Sequence, residues 1–289
     1  MFWQQLVNWV NLGAMYALLA IGYTMVYGII KLINFAHGEI FMFGAFFTWW
    51  FMAALSLPFG LAALVGVILA TLVGMGIERV AYRPLRNAPR FAVVISVLGM
   101  SIFLRSMARI IWGAEFQVFD VDVGIGPIHV GSVVIPFKKV LILLTSLVLM
   151  VALSVFVKRT SLGKAMRATA ADSEAAEMMG ISANSLIVLT FAIGSALGAA
   201  AGILYAINYN SIDPFMGFNA GMKAFAAAVL GGIGNIYGAM LGGLFLGIFE
   251  GIGAGYVSSM YRDAFAFGVL IMALVLRPQG LLGEGGSRE

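Results

Sequence analysis

A short polar group interrupts the apolar start of this chain, in the stretch KLINFAHGEIFMFGAF at residues 31–46. Lys31, Asn34, His37 and Glu39 lie within nine residues, whereas the long runs on both sides carry no charged side chain. An imidazole close to a carboxylate can relay a proton, and with an amide it can bind a polar solute. Ionisable side chains at membrane depth are costly and usually face a cavity or the protein interior.

We consider three hypotheses for these side chains. In the first, His37 and Glu39 line a passage or its cytoplasmic gate. In the second, they pair with each other or with the glycine-rich break GGIGN at residues 231–235, and so hold two broken helices together. In the third, they form a cytoplasmic turn in water. The candidate substrate pathway or gate therefore consists of Asn34, His37, Glu39, Gly232 and Asn235.

Other chemistries lack their motifs in this sequence. A P-loop needs glycine at position 158 and Ser or Thr at position 165, where this chain has Lys158 and Ala165. His37 and His129 lie on opposite predicted faces, and neither H-E-x-x-H nor G-x-S-x-G occurs. The chain has no cysteine, which excludes disulfides and thiol-based metal or redox chemistry. We therefore expect no enzyme activity, no catalytic residue and no metal site in this chain.

The elements that position the polar group are predicted to be membrane helices. The chain is 62% hydrophobic and 10% charged, against about 25% charged in soluble proteins. A helix needs about 20 apolar residues to cross the hydrocarbon core. The sequence predicts an all-α integral membrane protein, a polytopic helical bundle of about eight to nine membrane segments with broken or re-entrant helices. The predicted spans are 6–30, 40–56, 59–77, 91–112, 140–157, 186–207, 222–252 and 264–277.

The distribution of Lys and Arg predicts the orientation. The basic clusters at residues 78–90 and 158–167 are expected on the cytoplasmic side, together with the C-terminal tail. The count of crossings then requires the segment 222–252 to cross twice, or to dip in and return. We predict two short half-spans that meet near Gly232–Asn235, because glycine weakens a helix. By the same count residues 31–39 are cytoplasmic and the N-terminus is outside.

The longest segment predicted to lie outside the membrane on its outer side is residues 113–139, which we interpret as an extracytoplasmic cap. Apolar and polar residues alternate there and GIGP marks a turn, so we expect a small extended or hairpin element. Its charged side chains are expected in water, where they are available to an external binding protein. These side chains are Asp120, Asp122, Lys138 and Lys139.

Other charges lie within the predicted spans. Arg105 and Arg109 share one helical face near the outer end of the fourth span, and we expect them to extend to the interface with water. A role in receiving a substrate carboxylate is the weaker alternative. Glu250 lies among glycines in FEGIGAG, and it is expected either to be buried and paired or to lie at the outer surface. Glycines spaced by four between residues 194 and 202 predict close helix packing.

The loop 158–185, KRTSLGKAMRATAADSEAAEMMGISANS, has the composition of a helical segment. We predict a short helix that is capped near Asp172 or Ser173 and ends at Gly180. It would present alanine and methionine side chains with few charges. It is therefore either a helix that docks into a groove of a partner protein or a simple connection between two spans.

Several motifs of this chain resemble those of ABC importer permeases. The sequence EAA at residues 174–176, followed by glycine at 180, is similar to the E-A-A-x-x-x-G motif of that family, although the Leu-Pro of the fuller motif is absent. NFAHGE at residues 34–39 resembles the signature of branched-chain amino acid (LIV-type) permeases, specifically the smaller (H-type) subunit. ERVAYRPLR (78–86) and VLGGIGNIYGAMLGG (229–243) are also similar to that family. The resemblance covers essentially the whole chain.

The resemblance implies that residues 1–289 form a single transmembrane permease domain in a bacterial inner (plasma) membrane. It implies inward movement of branched-chain amino acids (Leu, Ile, Val) by ATP-driven alternating access. The implied partners are the lipid bilayer, a second homologous permease subunit, two ABC ATPase subunits and an extracytoplasmic substrate-binding protein, with no nucleic acid. ATP and Mg²⁺ would bind to the ATPase subunits, so no cofactor is expected in this chain. The ATPase-coupling residues implied are Arg167, Asp172, Glu174, Ala175, Ala176 and Gly180.

Alternatives to this function remain at the level of the sequence. The same machine could carry urea, amides or another amino acid. A stand-alone secondary transporter would need paired carboxylates inside the membrane, and only Glu39 and Glu250 are isolated candidates. Within the importer, the second hypothesis for His37 and Glu39 is favoured. The reason is that separate ATPases supply the driving force and no proton relay is needed.

Overall fold

The computed structural model describes residues 2–86, 88–121, 124, 126–130 and 133–283. Within these ranges eight helical segments are long and apolar enough to cross a membrane, which confirms the predicted helical bundle. The helices are α1 (Phe2–Ile30), α2 (His37–Leu55), α3 (Phe59–Ile77), α4 (Arg90–Trp112), α5 (Phe137–Arg159), α6 (Ser161–Ala171), α7 (Ser173–Met178), α8 (Ala183–Tyr209), α9 (Met216–Gly231), α10 (Ile236–Tyr256) and α11 (Arg262–Leu276).

The helix boundaries lie close to the predicted spans, with one informative difference. α2 begins at His37 rather than at residue 40, so His37 and Glu39 belong to the helix. The Asn34 side-chain oxygen accepts a hydrogen bond from the Ala36 N–H at 3.1 Å, and the His37 N–H donates to the Asn34 carbonyl at 3.0 Å. This local turn replaces a longer loop and allows the helix to start directly after it.

The segment predicted to break near Gly232–Asn235 does break there. α9 ends at Gly231 and α10 begins at Ile236. Gly232 has a φ of 102°, a conformation that glycine adopts without a steric penalty. α9 has 16 residues and is a half-span as predicted, whereas α10 has 21 residues and is long enough to cross alone.

Short strands cover the end of the bundle that carries the predicted cap. β1 (Gln117–Val118) pairs antiparallel with β4 (Ser211–Ile212), and β2 (Ile128–Val130) pairs with β3 (Val133–Ile135). The predicted hairpin is therefore present, but its strands flank residues 131–132 and not GIGP. Residues 131–132 and Asp122 lie outside the described ranges.

The core of the bundle is built around α1. Almost every residue from Trp9 to Val26 is buried, because α1 packs against α8, α9 and α10. A Cβ at Gly243 or Gly247 would overlap the backbone of Ala17 or Gly13. Glycine at these positions lets two membrane helices approach closely.

Candidate functional site

The NFAHGE stretch lies inside the bundle. The side chains of Asn34, His37 and Glu39 are each only 1% exposed. The His37 ring packs edge-on against the Tyr23 ring, with 4.8 Å between centroids. A Cβ at Gly198 would lie 3.0 Å from the imidazole, so α2 begins directly between α1 and α8. The hypothesis of a cytoplasmic turn in water is therefore wrong.

The Glu39 carboxylate is paired with a residue of α4. Its Oε1 accepts hydrogen bonds from Ser101 Oγ at 2.8 Å and from Arg105 Nη2 at 2.9 Å. The second hypothesis named the wrong partners, because neither His37 nor the 231–235 break contacts this carboxylate within the described residues. A buried carboxylate needs such a cation to offset the free energy of its desolvation.

Arg105 differs from the prediction that it extends to the water interface. Its guanidinium turns inward to Glu39, and it lies 4.6 Å from the centroid of the Phe218 ring. Arg109, one turn further along, is exposed and lies 5.5 Å from the centroid of the Phe215 ring. The two arginines therefore have different environments although they share one helical face.

The first turns of α2 and α9 are in direct backbone contact. A Cβ at Gly38 would overlap the carbonyl of Gly217, and a Cβ at Gly217 would overlap the carbonyl of Gly38. Tyr23 lies beside this crossing, because a Cβ at Gly221 would lie 3.1 Å from its hydroxyl. Two helices that start inside the bundle therefore meet at their N-terminal ends, where backbone N–H groups have no helical partners.

The 231–235 break is held by the C-terminal segment of the chain. Asn235 accepts a hydrogen bond from the Gly238 N–H at 3.1 Å and donates one from Nδ2 to the Leu282 carbonyl at 2.9 Å. The Leu282 N–H in turn donates to the Gly231 carbonyl at 2.9 Å, and a Cβ at Gly232 would overlap the backbone of Gly283. Gly232 and Asn235 thus form a separate site from Asn34, His37 and Glu39.

A second buried carboxylate joins four further helices. Glu250 is fully buried, which confirms one of the two expectations for it. Its Oε1 accepts hydrogen bonds from Tyr16 Oη at 3.2 Å, from Lys223 Nζ at 2.9 Å and from Arg262. Lys223 also pairs with Asp263 at 2.7 Å. α1, α9, α10 and α11 are therefore connected by one ionic network inside the bundle.

The loop 158–185 forms two helices that are joined at Asp172. Thr160 caps α6, since its Oγ1 accepts a hydrogen bond from the Gly163 N–H at 3.0 Å. Arg167 donates to the carbonyl of Val157, which ties α6 to the end of α5. The position of α6 relative to the membrane helices is thus fixed by side-chain contacts.

The predicted short helix is confirmed as α7. Asp172 Oδ1 accepts hydrogen bonds from the N–H groups of Glu174 and Ala175, both at 3.0 Å. Gly180 has a φ of 82°, and the helix end has the hydrogen-bond pattern of a Schellman motif. Ala176 is buried against the rest of the chain. The remaining side chains of α7 are exposed; Met178, its last residue, and Met179, which follows it, are 83% and 82% exposed.

Comparisons with known proteins identify the family. Residues 5–274 match the family model described as branched-chain amino acid transport system / permease component. The chain belongs to this permease family. The permease is 44% identical to the high-affinity branched-chain amino acid transport system permease protein LivH of Escherichia coli, over 98% of this chain and 96% of that protein. It is also 44% identical to the permease protein BraD of Pseudomonas aeruginosa, over 97% of this chain and 95% of BraD.

A solved structure supports the fold of the permease. PsaBC from Streptococcus pneumoniae in complex with Fab matches with a TM-score of 0.52 at 12% identity. The match covers 96% of this chain and 92% of that chain. The family match and the eight candidate spans make the permease a multi-pass membrane protein of the ABC transporter class, as the expectation of a transport subunit required.

Sequence reasoning missed parts of both buried ion pairs. Lys223 lies in the predicted span 222–252, and it is 8% exposed and pairs with Glu250. A single lysine in an apolar segment is a signal of a buried partner, because an unpaired ammonium at that depth is costly. Ser101 gave no such signal, because a hydroxyl in a membrane helix commonly bonds to its own backbone.

Proposed function

We propose that this permease is a subunit of an importer that moves branched-chain amino acids into the cell by ATP-driven alternating access. The identity of 44% over nearly the whole chain to LivH and BraD, whose names describe branched-chain amino acid transport, carries the choice of substrate. The proposed setting is a bacterial inner membrane. The proposed partners are a second permease subunit, two ABC ATPases that bind ATP and Mg²⁺, and an external substrate-binding protein.

The proposed contact with the ATPases is α7 with its flanking residues. An exposed helix with two exposed methionines has the chemistry of a helix that docks into an apolar groove. Asp172 and Gly180 define the two ends of this helix, and Ala176 seats it on the permease. Arg167 anchors α6 to α5, so a movement of α7 would be transmitted to a membrane helix. Glu174 and Ala175 lie on the exposed surface that an ATPase would contact.

The proposed gate is the crossing of α2 and α9. Asn34, His37 and Glu39 surround the start of α2, and in this conformation the contact between Gly38 and Gly217 leaves no space for a solute. Separation of the two helices would expose their N-terminal N–H groups, which favour a carboxylate. Gly232 and Asn235 would act at the other end of α9, where the C-terminal segment holds the break.

An Ala175→Trp variant tests the coupling assignment. We expect at least a tenfold loss of ATP-driven leucine uptake at normal protein level, because a bulky side chain on exposed α7 blocks docking without disturbing the fold. Uptake by proteoliposomes and recovery of the ATPases on affinity purification are the two measurements. Glu115→Trp, at an exposed position of the cap, is the matched control. Full uptake by the Ala175 variant would contradict the assignment.

A further inference from the structure

A cavity opens on the same end of the bundle as the predicted cap. It has a volume of about 400 Å³ and lies between the start of α1, the start of α5 and the ends of α8 and α10. The Gln4 side chain bonds to the Val134 carbonyl at 2.8 Å, so β3 lies beside this start of α1. The cavity is separate from the α2–α9 crossing, and none of the predicted pathway residues lines it.

The charged groups that line this cavity are cations. Lys139 and Arg262 both contribute to its wall, and its described lining includes no carboxylate. The positive charge of Arg262 is neutralised by the buried Glu250 carboxylate, with which it forms an ion pair. Arg262 also donates a hydrogen bond to the Tyr209 hydroxyl. Lys139 forms no ion pair within the described residues, and its Nζ donates to the amide oxygen of Asn8. A half-buried ammonium that is held by a neutral amide leaves net positive charge at the cavity wall.

Lys139 is distinct from its neighbour in this respect. Lys138 pairs with Asp120 at 3.2 Å, and Asp120 is 73% exposed, so that pair lies in water as predicted. Lys139 was expected in water as well, but it turns toward the cavity instead. Consecutive residues of α5 point in different directions, so the Lys138 ammonium lies on the surface and the Lys139 ammonium lies at the cavity.

The rest of the cavity wall is amphipathic. Trp9, Leu12 and Ala254 give it an apolar side, while Gln5, Asn8 and Asn208 contribute amide groups. The Asn8 amide bonds to Lys139 and to Gln5, so the Asn208 amide is the one that faces a solute. The cations at one edge of the cavity could bind a carboxylate, and a nearby amide oxygen could accept a hydrogen bond from an ammonium group. The apolar wall could pack against an aliphatic side chain. A solute with a carboxylate and an aliphatic side chain would therefore bind although no protein carboxylate lines the described part of the cavity.

We propose that this cavity is an external receiving site for a small aliphatic carboxylate, and that Lys139 and Arg262 bind the carboxylate group. In naming an aliphatic α-amino acid as the natural occupant, the proposal rests on the proposed transport function. The preference for a carboxylate rests on the cavity alone. The site receives the solute before the α2–α9 crossing opens.

Cysteine labelling tests this site, because the chain has no cysteine of its own. Asn208→Cys places a thiol in the cavity wall, and Phe116→Cys, at a position 74% exposed in the cap, is the control. The permease is purified with its accompanying subunits in nanodiscs without ATP. The labelling rates of this chain with anionic sulfonatoethyl and cationic trimethylammonioethyl methanethiosulfonates are then followed by mass spectrometry.

We expect the ratio of anionic to cationic labelling rates to be roughly fivefold or more higher at Asn208→Cys than at Phe116→Cys. Adding Lys139→Gln should return the ratio to the control value. Millimolar L-leucine and 4-methylpentanoate should slow labelling at Asn208→Cys, while leucinamide, which lacks the carboxylate, should not. Equal ratios at the two positions, or equal protection by all three solutes, would overturn the proposal. Neither result depends on import, so failure of this site is distinguishable from failure of the transport function.

Discussion

Arg105→Met is expected to destabilise the permease by about 3–5 kcal/mol, because it leaves the buried Glu39 carboxylate without its cation. Glu39 is 1% exposed, and among the residues that the structure describes only Ser101 would still donate a hydrogen bond to it. The measurement is the thermal denaturation midpoint and the yield of monodisperse protein in detergent. Glu39→Gln should also lower the amount of folded protein in the membrane. Its effect on the affinity of the assembled complex for substrate should be the smaller of the two fold-changes.

Two further variants separate the ion pair from other effects of the change. Combining Arg105→Met with Glu39→Gln removes both charges and should recover most of the lost stability. Arg109→Met, on the same face of α4 but exposed and paired with no carboxylate in the described chain, should stay close to wild type. If Arg105→Met were as stable as Arg109→Met, the ion pair would not hold α4 to α2. Normal protein level with lost transport in Glu39→Gln would show that Glu39 acts in the gate itself and not in holding α4 to α2.

Gly202→Leu is expected to abolish accumulation of the folded permease. A Cβ at this position of α8 would overlap the carbonyl of Phe41 in α2, a backbone atom that cannot rotate away. Overpacking against side chains costs about 1–3 kcal/mol, and a clash with backbone costs more because a whole helix must move. Fluorescence-detected size-exclusion chromatography of solubilised membranes measures the outcome.

Gly99→Leu is the matched control for this variant. Gly99 also lies within a membrane helix, but it is exposed and no atom lies within 4 Å of its added Cβ. Leucine there should be neutral or stabilise by roughly 0.5–1 kcal/mol through its helix propensity. Equal yields of the two variants would show that the close approach of α2 and α8 is not required for folding.

Hydropathy predicted the membrane helices well because each helix that crosses the membrane consists of one continuous run of mostly apolar residues. The break at residues 231–235 followed from glycine content, and α7 followed from Asp172 and Gly180, whose capping roles are local. Such features depend only on neighbours in the sequence. The predicted second span begins at residue 40, three residues after α2 begins, because the charge-free run starts only after His37 and Glu39.

The partners of buried charges could not be predicted in the same way. Glu39 and Arg105 are 66 residues apart, and Glu250 and Lys223 are 27 apart in different helices. Their pairing depends on how helices pack, which periodicity does not record. The same holds for Lys139. Its position next to Lys138 predicted a side chain exposed to water, whereas the start of α1 packs beside its ammonium group.

ATP-driven uptake by the purified complex is the decisive test of the proposed transport function. The permease would be affinity-purified in mild detergent, its accompanying subunits identified by mass spectrometry, and the complex reconstituted in proteoliposomes with ATP enclosed. We expect two ABC ATPases and a second permease in the preparation. We also expect accumulation of radiolabelled leucine that requires internal ATP and the external binding protein. Purification of this chain alone, with leucine uptake that follows a proton or sodium gradient and ignores ATP, would contradict it.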